Sequence, residues 1–283
     1  MQADFKVSVI IPVYNAEAYL KIAVESAVYN NDVGEIILIE DKSPDNCLDI
    51  CKTLEQKYAK ITVLQHPNGE NRGAGESRNL GIRNAKMPYI AFLDADDYYL
   101  PNRFENSKII FKKDPTVDFT FGTTQYDKEF LKKSQKYKQM KIADPHSASI
   151  FNNMLLGNAG YFDTNSITIK RESLINFKLF NPNLKLHQDS ELWIRLAFNL
   201  NGYPEPENIP IAIARQHANN RITHKNKQSL LLYWNTIKQE FADKPITHKQ
   251  RKIIDLNIKL LTNNFHPLIN KIYARLMRLY LSN

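Results

Sequence analysis

Short apolar runs alternate with amphipathic segments over the first hundred residues of this 283-residue chain. The runs are continuous and rich in β-branched residues, a pattern typical of strands that are buried on both faces. They lie at 7–11, 35–40, 61–65 and 89–93, and helical periodicity predicts helices at 16–28, 47–58 and 76–85. Strands and helices that alternate at this spacing predict an α/β fold with a doubly wound, mostly parallel sheet flanked by helices.

The pattern changes twice further along the chain. Between residues 101 and 225, less regular runs predict strands at 117–123, 166–169 and 209–214 and helices at 102–112, 147–156 and 189–200. Beyond residue 225 only helical periodicity is left, at 227–241, 248–263 and 267–281. We therefore expect an α/β domain over residues 1–225, with halves at 1–100 and 101–225, and a helical C-terminal extension over 226–283.

Composition and charge narrow the possible partners. The formal net charge of +8 favours an anionic partner, such as a phosphate ligand, an anionic membrane surface or nucleic acid. The two cysteines, Cys47 and Cys51, neither form a disulfide framework nor complete a zinc site, which indicates a reducing, cytoplasmic compartment. No apolar segment approaches the roughly 20 residues of a membrane span, so we expect a soluble or peripheral protein.

Three carboxylates follow the fourth predicted strand, at Asp94, Asp96 and Asp97. In open α/β sheets, ligands bind at the carboxyl ends of the strands, which is where these side chains are expected. Packed together in a dry site the carboxylates would repel one another, and a divalent cation such as Mg²⁺ or Mn²⁺ would remove that repulsion. A solvated surface turn is the alternative, because aspartate is common in turns.

Polar side chains also lie at the ends of the neighbouring strands. Pro12, Tyr14 and Asn15 follow the first strand, Asp41 follows the second, and Arg78 opens the third crossover helix. In a parallel sheet these positions share one edge with the acids. Tyr14 is suited to packing against a base, Asp41 to accepting a hydrogen bond from a base N–H, and Arg78 to meeting phosphate. The sequence therefore predicts a nucleotide-diphosphate pocket with a metal.

Four segments at these strand ends resemble the family-2 glycosyltransferases of GT-A fold. They are Val-Ser-Val-Ile-Ile-Pro-Val-Tyr-Asn (7–15), Ile-Glu-Asp-Lys-Ser-Pro-Asp (39–45), Asn-Arg-Gly-Ala-Gly-Glu-Ser-Arg-Asn-Leu-Gly (71–81) and Phe-Leu-Asp-Ala-Asp-Asp (92–97). Their order and spacing match the family, and together they cover roughly the first hundred residues. The later half matches less densely, through residues 188–193 and 215–217.

The resemblance implies an inverting transfer of one sugar from a nucleotide-diphosphate donor, a UDP-sugar, to a hydroxyl group of a bacterial surface glycan such as lipopolysaccharide or capsule. Mn²⁺ or Mg²⁺ would be the cofactor, a glycan or glycolipid would be the acceptor, and no nucleic acid would bind. The processive synthases of the family carry Gln-x-x-Arg-Trp, which this chain lacks. Residues 1–100 would then bind the donor, and residues 101–225 would bind the acceptor and supply the catalytic base.

The resemblance also assigns roles to individual residues. Asp189 takes the place of the catalytic base, although it follows Gln188 where the family usually has glutamate. Asp96 is the expected metal ligand, with Asp94 and His217 as further candidate ligands. The nucleotide-sugar site comprises Pro12, Tyr14, Asn15, Asp41, Arg78, Asp94 and Ala95.

Several alternatives stay open at this point. A sugar nucleotidyltransferase would share the fold, a non-catalytic nucleotide-sugar binder would share the pocket, and a nucleic-acid-binding protein would share the positive charge. Asp189 is otherwise an acid stabilised at a helix N-terminus, and Glu191 is then the fallback base. The basic segment 128–141 is a solvated loop or a lip over the substrate, and the helix at 267–281 docks on the domain or lies on a membrane surface.

Overall fold

The computed structural model describes residues 4–127, 147–156, 163–206, 209–216 and 226–262. The strands in these ranges are β1 (Val7–Val13), β2 (Val33–Glu40), β3 (Ile61–Gln65), β4 (Tyr89–Phe92), β5 (Tyr98–Tyr99), β6 (Phe119–Phe121), β7 (Thr123–Tyr126), β8 (Ile167–Lys170), β9 (Gly202–Pro204) and β10 (Pro210–Ala214). The helices are α1 (Glu17–Val28), α2 (Cys47–Lys57), α3 (Gly73–Asn84), α4 (Glu105–Lys113), α5 (Ser147–Leu156), α6 (Gln188–Asn199), α7 (Lys227–Glu240) and α8 (His248–Thr262).

Two sheets are formed by the described part of the chain. The larger has seven strands in the order β3-β2-β1-β4-β8-β6-β9, and the smaller has three in the order β5-β10-β7. Strands β1 to β4 run parallel, which confirms the predicted doubly wound sheet, and β8 then pairs antiparallel with both β4 and β6. The chain winds from β1 towards β2 and β3 on one side and towards β4 on the other, so the strand order reverses at β1.

Alternate residues of the central strands face two separate hydrophobic cores. On β1, Ile10 packs into one core with Ile37 and Phe92, whereas Val9 and Ile11 pack into the other with helices α1 and α2. Side chains on a strand alternate between faces, so a strand that is covered on both sides favours apolar residues at most positions. This preference explains the continuous apolar runs in the sequence.

The predicted strand at 117–123 is two strands that belong to different sheets. β6 lies in the larger sheet and β7 in the smaller, and Gly122 separates them. A Cβ at Gly122 would lie 2.5 Å from Cδ1 of Ile211, so a residue without a side chain fits most easily where the chain changes sheet. The short strands β5 and β9 were not predicted, because two or three residues carry no readable periodicity.

Pro12 lies within β1 rather than after it. The strand continues to Val13, and Pro12 pairs with Ile39 of β2. Pairing with β4 ends at Ile10, so no neighbouring strand on that side requires the N–H that proline lacks. Pro12 and Val13 therefore extend the first strand to the edge of the candidate site.

The helices after residue 225 share the main hydrophobic core of the α/β domain. Tyr233 and Ile237 of α7, with Phe241 directly after it, pack with buried residues of α5 and α6, and Ile253 and Ile254 of α8 join the same cluster. None of the helices in the described ranges has the length and hydropathy needed to cross a membrane. The basic segment 128–141, His217 and the predicted helix at 267–281 lie outside the described residues.

Candidate active site

The carboxyl end of β2 is joined to the start of α3 by Asp41. One carboxylate oxygen of Asp41 accepts the N–H of Arg72 at 2.7 Å, and the other accepts the N–H of Gly73 at 2.8 Å. Asn71 donates to the backbone carbonyl of Asp41 at 2.7 Å. Gly73 has φ +82, a conformation that a side chain would strain. Asp41 is buried, at 2% exposure, and its hydrogen bonds fix the loop before α3 that a nucleotide would contact. It is also the candidate contact for the base.

His66 is a buried neighbour of Asp41 that the sequence analysis missed. Its Nε2 lies 3.6 Å from Oδ1 of Asp41 and 3.1 Å from Oγ of Ser77 on α3. It follows β3 directly, as Asp41 follows β2. His66 could therefore have been predicted as a site residue, because it lies at the end of a parallel strand.

The residues after β1 form the open side of the site. The side chain of Tyr14 is 53% exposed, and Asn15 is also exposed with φ 51, in the left-handed region. The backbone N–H of Asn15 donates to Oγ of Ser43 at 2.6 Å, and Ser43 donates to Asp45 at 2.6 Å. The loops after β1 and β2 are thus hydrogen-bonded together, and they leave the Tyr14 ring accessible to a ligand.

Arg78 and Asp94 form an ion pair where β4 leaves the sheet. Nη2 of Arg78 lies 2.5 Å from Oδ1 of Asp94, and the Arg78 side chain is 4% exposed against 34% for Asp94. The guanidinium group also stacks on Phe180 at 5.5 Å, and its Nε is buried without a hydrogen-bond partner among the described residues. A fixed cation beside half-exposed carboxylates can bind a phosphate group and a metal in the same place.

Asn165 holds the turn that carries the acids, and it was also missed by the sequence analysis. Its Oδ1 accepts the N–H of Asp94 at 2.9 Å, and its Nδ2 donates to Asp97 at 2.6 Å. Asn165 is held in turn by the buried Arg103, whose Nε donates to the Asn165 carbonyl at 2.9 Å. A separation of about seventy residues left no local signal for this contact in the sequence.

Arg215, after β10, closes the other side of the acidic turn. Its backbone N–H donates to Asp97 at 2.7 Å, and its guanidinium donates to the carbonyl of Asp96 at 3.1 Å. The same guanidinium lies 4.7 Å from the ring centre of Tyr98 and 5.5 Å from that of Tyr19. The turn is therefore held from both sheets, while Asp94 and Asp96 stay half-exposed and Ala95 is buried.

Two carboxyl groups at this turn have raised pKa values. Burial, together with the charges of Asp96 and Asp94, raises the pKa of Asp97 well above its usual range. Burial and the charge of Asp94 raise the pKa of Asp163 to about 6, against a favourable hydrogen bond from Thr124. The charge of Asp94 thus contributes to both raised pKa values, and a cation bound at Asp94 and Asp96 would offset that contribution.

Asp189 lies in the first turn of α6, which meets the first turn of α3. The neighbouring Gln188 packs so closely on α3 that a Cβ at Gly75 would overlap its Oε1. Gly75 and Arg78 are three residues apart on α3 and so share one face of that helix. The structure thus brings the segment that carries Asp189 to the same helix end as Arg78. Asp189 itself is half-exposed, and its Oδ1 accepts the N–H of Ser190 at 2.7 Å.

Glu191 is not available as the fallback base. It is fully buried, and its two carboxylate oxygens each lie 2.7 Å from a nitrogen of the Arg195 guanidinium. Arg195 also donates to the backbone carbonyls of Lys178 and Leu179. Arg195 therefore lies in a buried ion pair, and the neighbouring Trp193 is fully buried.

Comparison with solved structures defines the class of fold. The chain is similar to residues 1–349 of S. aureus TarS in complex with UDP-GlcNAc, with a TM-score of 0.68, 17% identity, and coverage of 91% of this chain and 72% of that one. It is similar also to the mannosyltransferase PcManGT from Pyrobaculum calidifontis in complex with GDP-Man and Mn²⁺, with a TM-score of 0.64, 15% identity, and coverage of 98% and 73%. At these identities the likeness shows the fold, which is that of GT-A glycosyltransferases.

Comparison of sequences gives the family. The profile of glycosyl transferase family 2 matches residues 8–179, and the chain belongs to that family and is a glycosyltransferase. It is 40% identical over 107 residues to the minor teichoic acid biosynthesis protein GgaB of Bacillus subtilis, covering 36% of this chain but 12% of that protein. It is 26% identical over 253 residues to an uncharacterized glycosyltransferase of Methanocaldococcus jannaschii, covering 84% of this chain and 80% of that protein.

Proposed function

We propose that the chain transfers a single sugar, with inversion, from a UDP-sugar to a hydroxyl group of a bacterial surface glycan. The observation that carries the proposal is the ion pair between Arg78 and Asp94 beside Asp96, at the carboxyl edge of a parallel sheet. This edge has the three groups that a metal-bound sugar diphosphate requires: a fixed cation, exposed carboxylates and an adjacent loop with an exposed aromatic ring, Tyr14.

The residues at the acidic turn fit a divalent metal that binds together with the donor. Within the described ranges, no group of three His, Cys, Asp or Glu side chains is arranged to hold a metal by itself. Mg²⁺ and similar ions are commonly held by one or two carboxylates, with phosphate oxygens and water as the other ligands. Asp96 would hold the ion, with Asp94 as a further ligand, and the bound ion would neutralise charge on the leaving diphosphate.

Residues of the chain would bind the rest of the donor and accept the proton of the acceptor. Pro12, Tyr14, Asn15 and Asp41 would bind the base and ribose, and Arg78 would bind the diphosphate. The oxygen of the acceptor hydroxyl would form a bond to the anomeric carbon as the bond from that carbon to the diphosphate breaks. Asp189 would accept the proton of that hydroxyl, and the nucleoside diphosphate would leave with the bonding electrons.

The donor and the acceptor are supported by different observations. UDP-GlcNAc is bound by a structural neighbour, TarS, and another neighbour, PcManGT, binds GDP-Man and Mn²⁺. The name of the Bacillus subtilis relative links it to the biosynthesis of teichoic acid, a surface polymer. We therefore propose a surface glycan or glycolipid as the acceptor, and we place the reaction at the cytoplasmic face of the membrane.

The proposal is tested with UDP-GlcNAc, UDP-glucose, UDP-galactose and GDP-mannose, each with Mn²⁺. We expect one of the UDP-sugars to yield UDP most rapidly, and we expect EDTA to abolish its release. Asp96→Asn should lose Mn²⁺-dependent binding of UDP in calorimetry, whereas Asp189→Asn should bind UDP normally and release none from the sugar donor. Asp255→Asn removes the same charge from the exposed surface of α8 and should match the wild type.

The outcome separates the two assigned roles. Unchanged UDP affinity in Asp96→Asn would exclude it as the metal ligand. A wild-type rate in Asp189→Asn would exclude it as the base. Preference for GDP-mannose over every UDP-sugar would overturn the proposed donor while leaving the reaction class unchanged.

A further inference from the structure

His187, the residue that precedes the helix carrying Asp189, adopts a strained backbone conformation. It has φ 61 and ψ 14, in the left-handed region, which costs a non-glycine residue about 1–2 kcal/mol. Its side chain is buried, at 7% exposure for the residue. A conformation of this kind persists when neighbouring groups fix it, so the contacts of His187 identify what determines the direction in which α6 begins.

Those contacts come from α7, in the predicted C-terminal extension. Nε2 of His187 lies 3.2 Å from Oγ of Ser229, and the His187 ring lies 5.5 Å from the ring centre of Tyr233. Ser229 and Tyr233 are four residues apart and therefore lie on the same face of α7. One face of α7 thus holds the His187 side chain through a hydrogen bond and a ring contact.

Tyr233 is also electrostatically close to the proposed base. Tyr233 is buried, and burial with the charges of Asp189 and Glu191 raises the pKa of its hydroxyl. The segment from His187 to Asp189 also contacts α3 on the side away from α7, where Gln188 packs on Gly75. The residues from His187 to Asp189 are therefore enclosed between the donor side of the site and the C-terminal helices.

We propose that Ser229 and Tyr233 are positioning residues for catalysis, acting through His187 to orient Asp189. This inference rests on the proposed function, in which Asp189 is the base. It makes α7 a part of the catalytic centre, although its side chains do not touch the reacting atoms. A shift of about 1 Å in a catalytic group can reduce turnover about a hundredfold, so such support has a measurable effect.

The test uses three substitutions in the full-length chain. Ser229→Ala removes the hydroxyl that contacts His187, and Ser229→Thr restores a hydroxyl. Asn226→Ala is the matched control, because Asn226 accepts the N–H of Ser229 at 2.9 Å and caps the same helix without contacting His187. Loss of that cap should cost about 0.5–2 kcal/mol of stability and leave the catalytic segment unchanged.

The first readout is the release of UDP from the preferred UDP-sugar, measured as kcat and KM. We expect Ser229→Ala to lower kcat about tenfold with KM and UDP affinity unchanged, Ser229→Thr to recover most of the rate, and Asn226→Ala to keep it.

The second readout is hydrogen exchange of the amides in the first turn of α6, which needs no substrate. We expect faster exchange there in Ser229→Ala than in Asn226→Ala. Equal exchange and equal kcat in these two variants would overturn the positioning role while leaving the proposed function intact. A wild-type rate in Asp189→Asn would overturn both, so the two failures are distinguishable.

Discussion

The donor edge, which is the carboxyl edge of the larger sheet where we propose that the donor binds, is held in place by one kind of contact. The start of α6 is held in place by another. At the donor edge, Asp41 and Asn165 bind backbone amides, so the geometry is fixed by hydrogen bonds to the main chain. At the start of α6, the Glu191–Arg195 pair and the contacts of His187 are made between side chains, most of them from distant segments. Motifs therefore define the first region well, whereas the second depends on tertiary packing.

Loss of Arg195 should have the largest effect on stability. Arg195→Met leaves Glu191 buried and unpaired, which should lower the free energy of unfolding by about 3–5 kcal/mol. Urea denaturation measures the change. The double variant Glu191→Leu/Arg195→Met should recover at least half of the loss, and a single-variant loss below about 1 kcal/mol would show that the catalytic side does not depend on this pair.

Loss of the Asp41 charge should lower the free energy of unfolding by an intermediate amount and weaken the binding of UDP. In Asp41→Asn the new NH₂ group faces one of the two backbone donors, Arg72 or Gly73, and we expect a loss of about 1–3 kcal/mol together with weaker UDP binding. The control is Asp114→Asn, because Asp114 uses a single oxygen, Oδ1, towards Thr116. Urea denaturation and calorimetry should separate these variants; equal stability would show that backbone contacts do not hold the donor edge.

A methyl group at Gly75 should affect activity more than stability, because it lies where the two regions meet. Gly75→Ala displaces the end of the flexible Gln188 side chain, so we expect less than about 1 kcal/mol of destabilisation but a several-fold lower kcat. Gly81→Ala instead overlaps Ile10 in the core and should cost about 1–3 kcal/mol. Thermal melts and UDP release measure both; unchanged kcat in Gly75→Ala would show that the regions are independent.

The pH dependence of stability should also change, through the carboxyl group of Asp163. The folded pKa of Asp163, about 6, is above its ordinary value of 3.8, so the folded state retains a proton that the unfolded state releases. This contribution is complete below the ordinary pKa and is lost as the pH rises through about 6. Asp163→Asn should therefore flatten the fall in melting temperature between pH 4 and 7, measured in EDTA. An unchanged slope would assign the fall to other groups.

The sequence predicted the donor edge because its information is local. Continuous apolar runs located β1 to β4, and the position of Asp94 and Asp96 after a strand placed them at the correct edge. Prediction of α3 was less accurate: it begins at Gly73 rather than at 76, because Asp41, some thirty residues away, caps it. Contacts such as Asn165 with Asp94 link segments too distant for any periodicity to reveal.

On the side of the proposed catalytic base, too, contacts between distant segments could not be predicted from the sequence. In α6, Glu191 and Arg195 are four residues apart, a spacing at which an ion pair is expected, but the sequence gave no indication that the pair is buried. The strained conformation of His187 depends on α7, forty residues later in the chain. Site roles for Tyr14, Asp41, Arg78, Asp96 and Asp189 remain predictions of the proposed function, to be tested as described.

The acidic turn is also a covalent link between the two sheets, since β4 precedes it in one and β5 follows it in the other. Tyr99 and Tyr98 pair with Ala212 and Ile213, and Tyr99 is buried. Insertion or deletion of one residue between β4 and β5 would reverse the faces of both tyrosines. Sheet register therefore restricts the length of the turn that carries Asp94 and Asp96, even without a ligand.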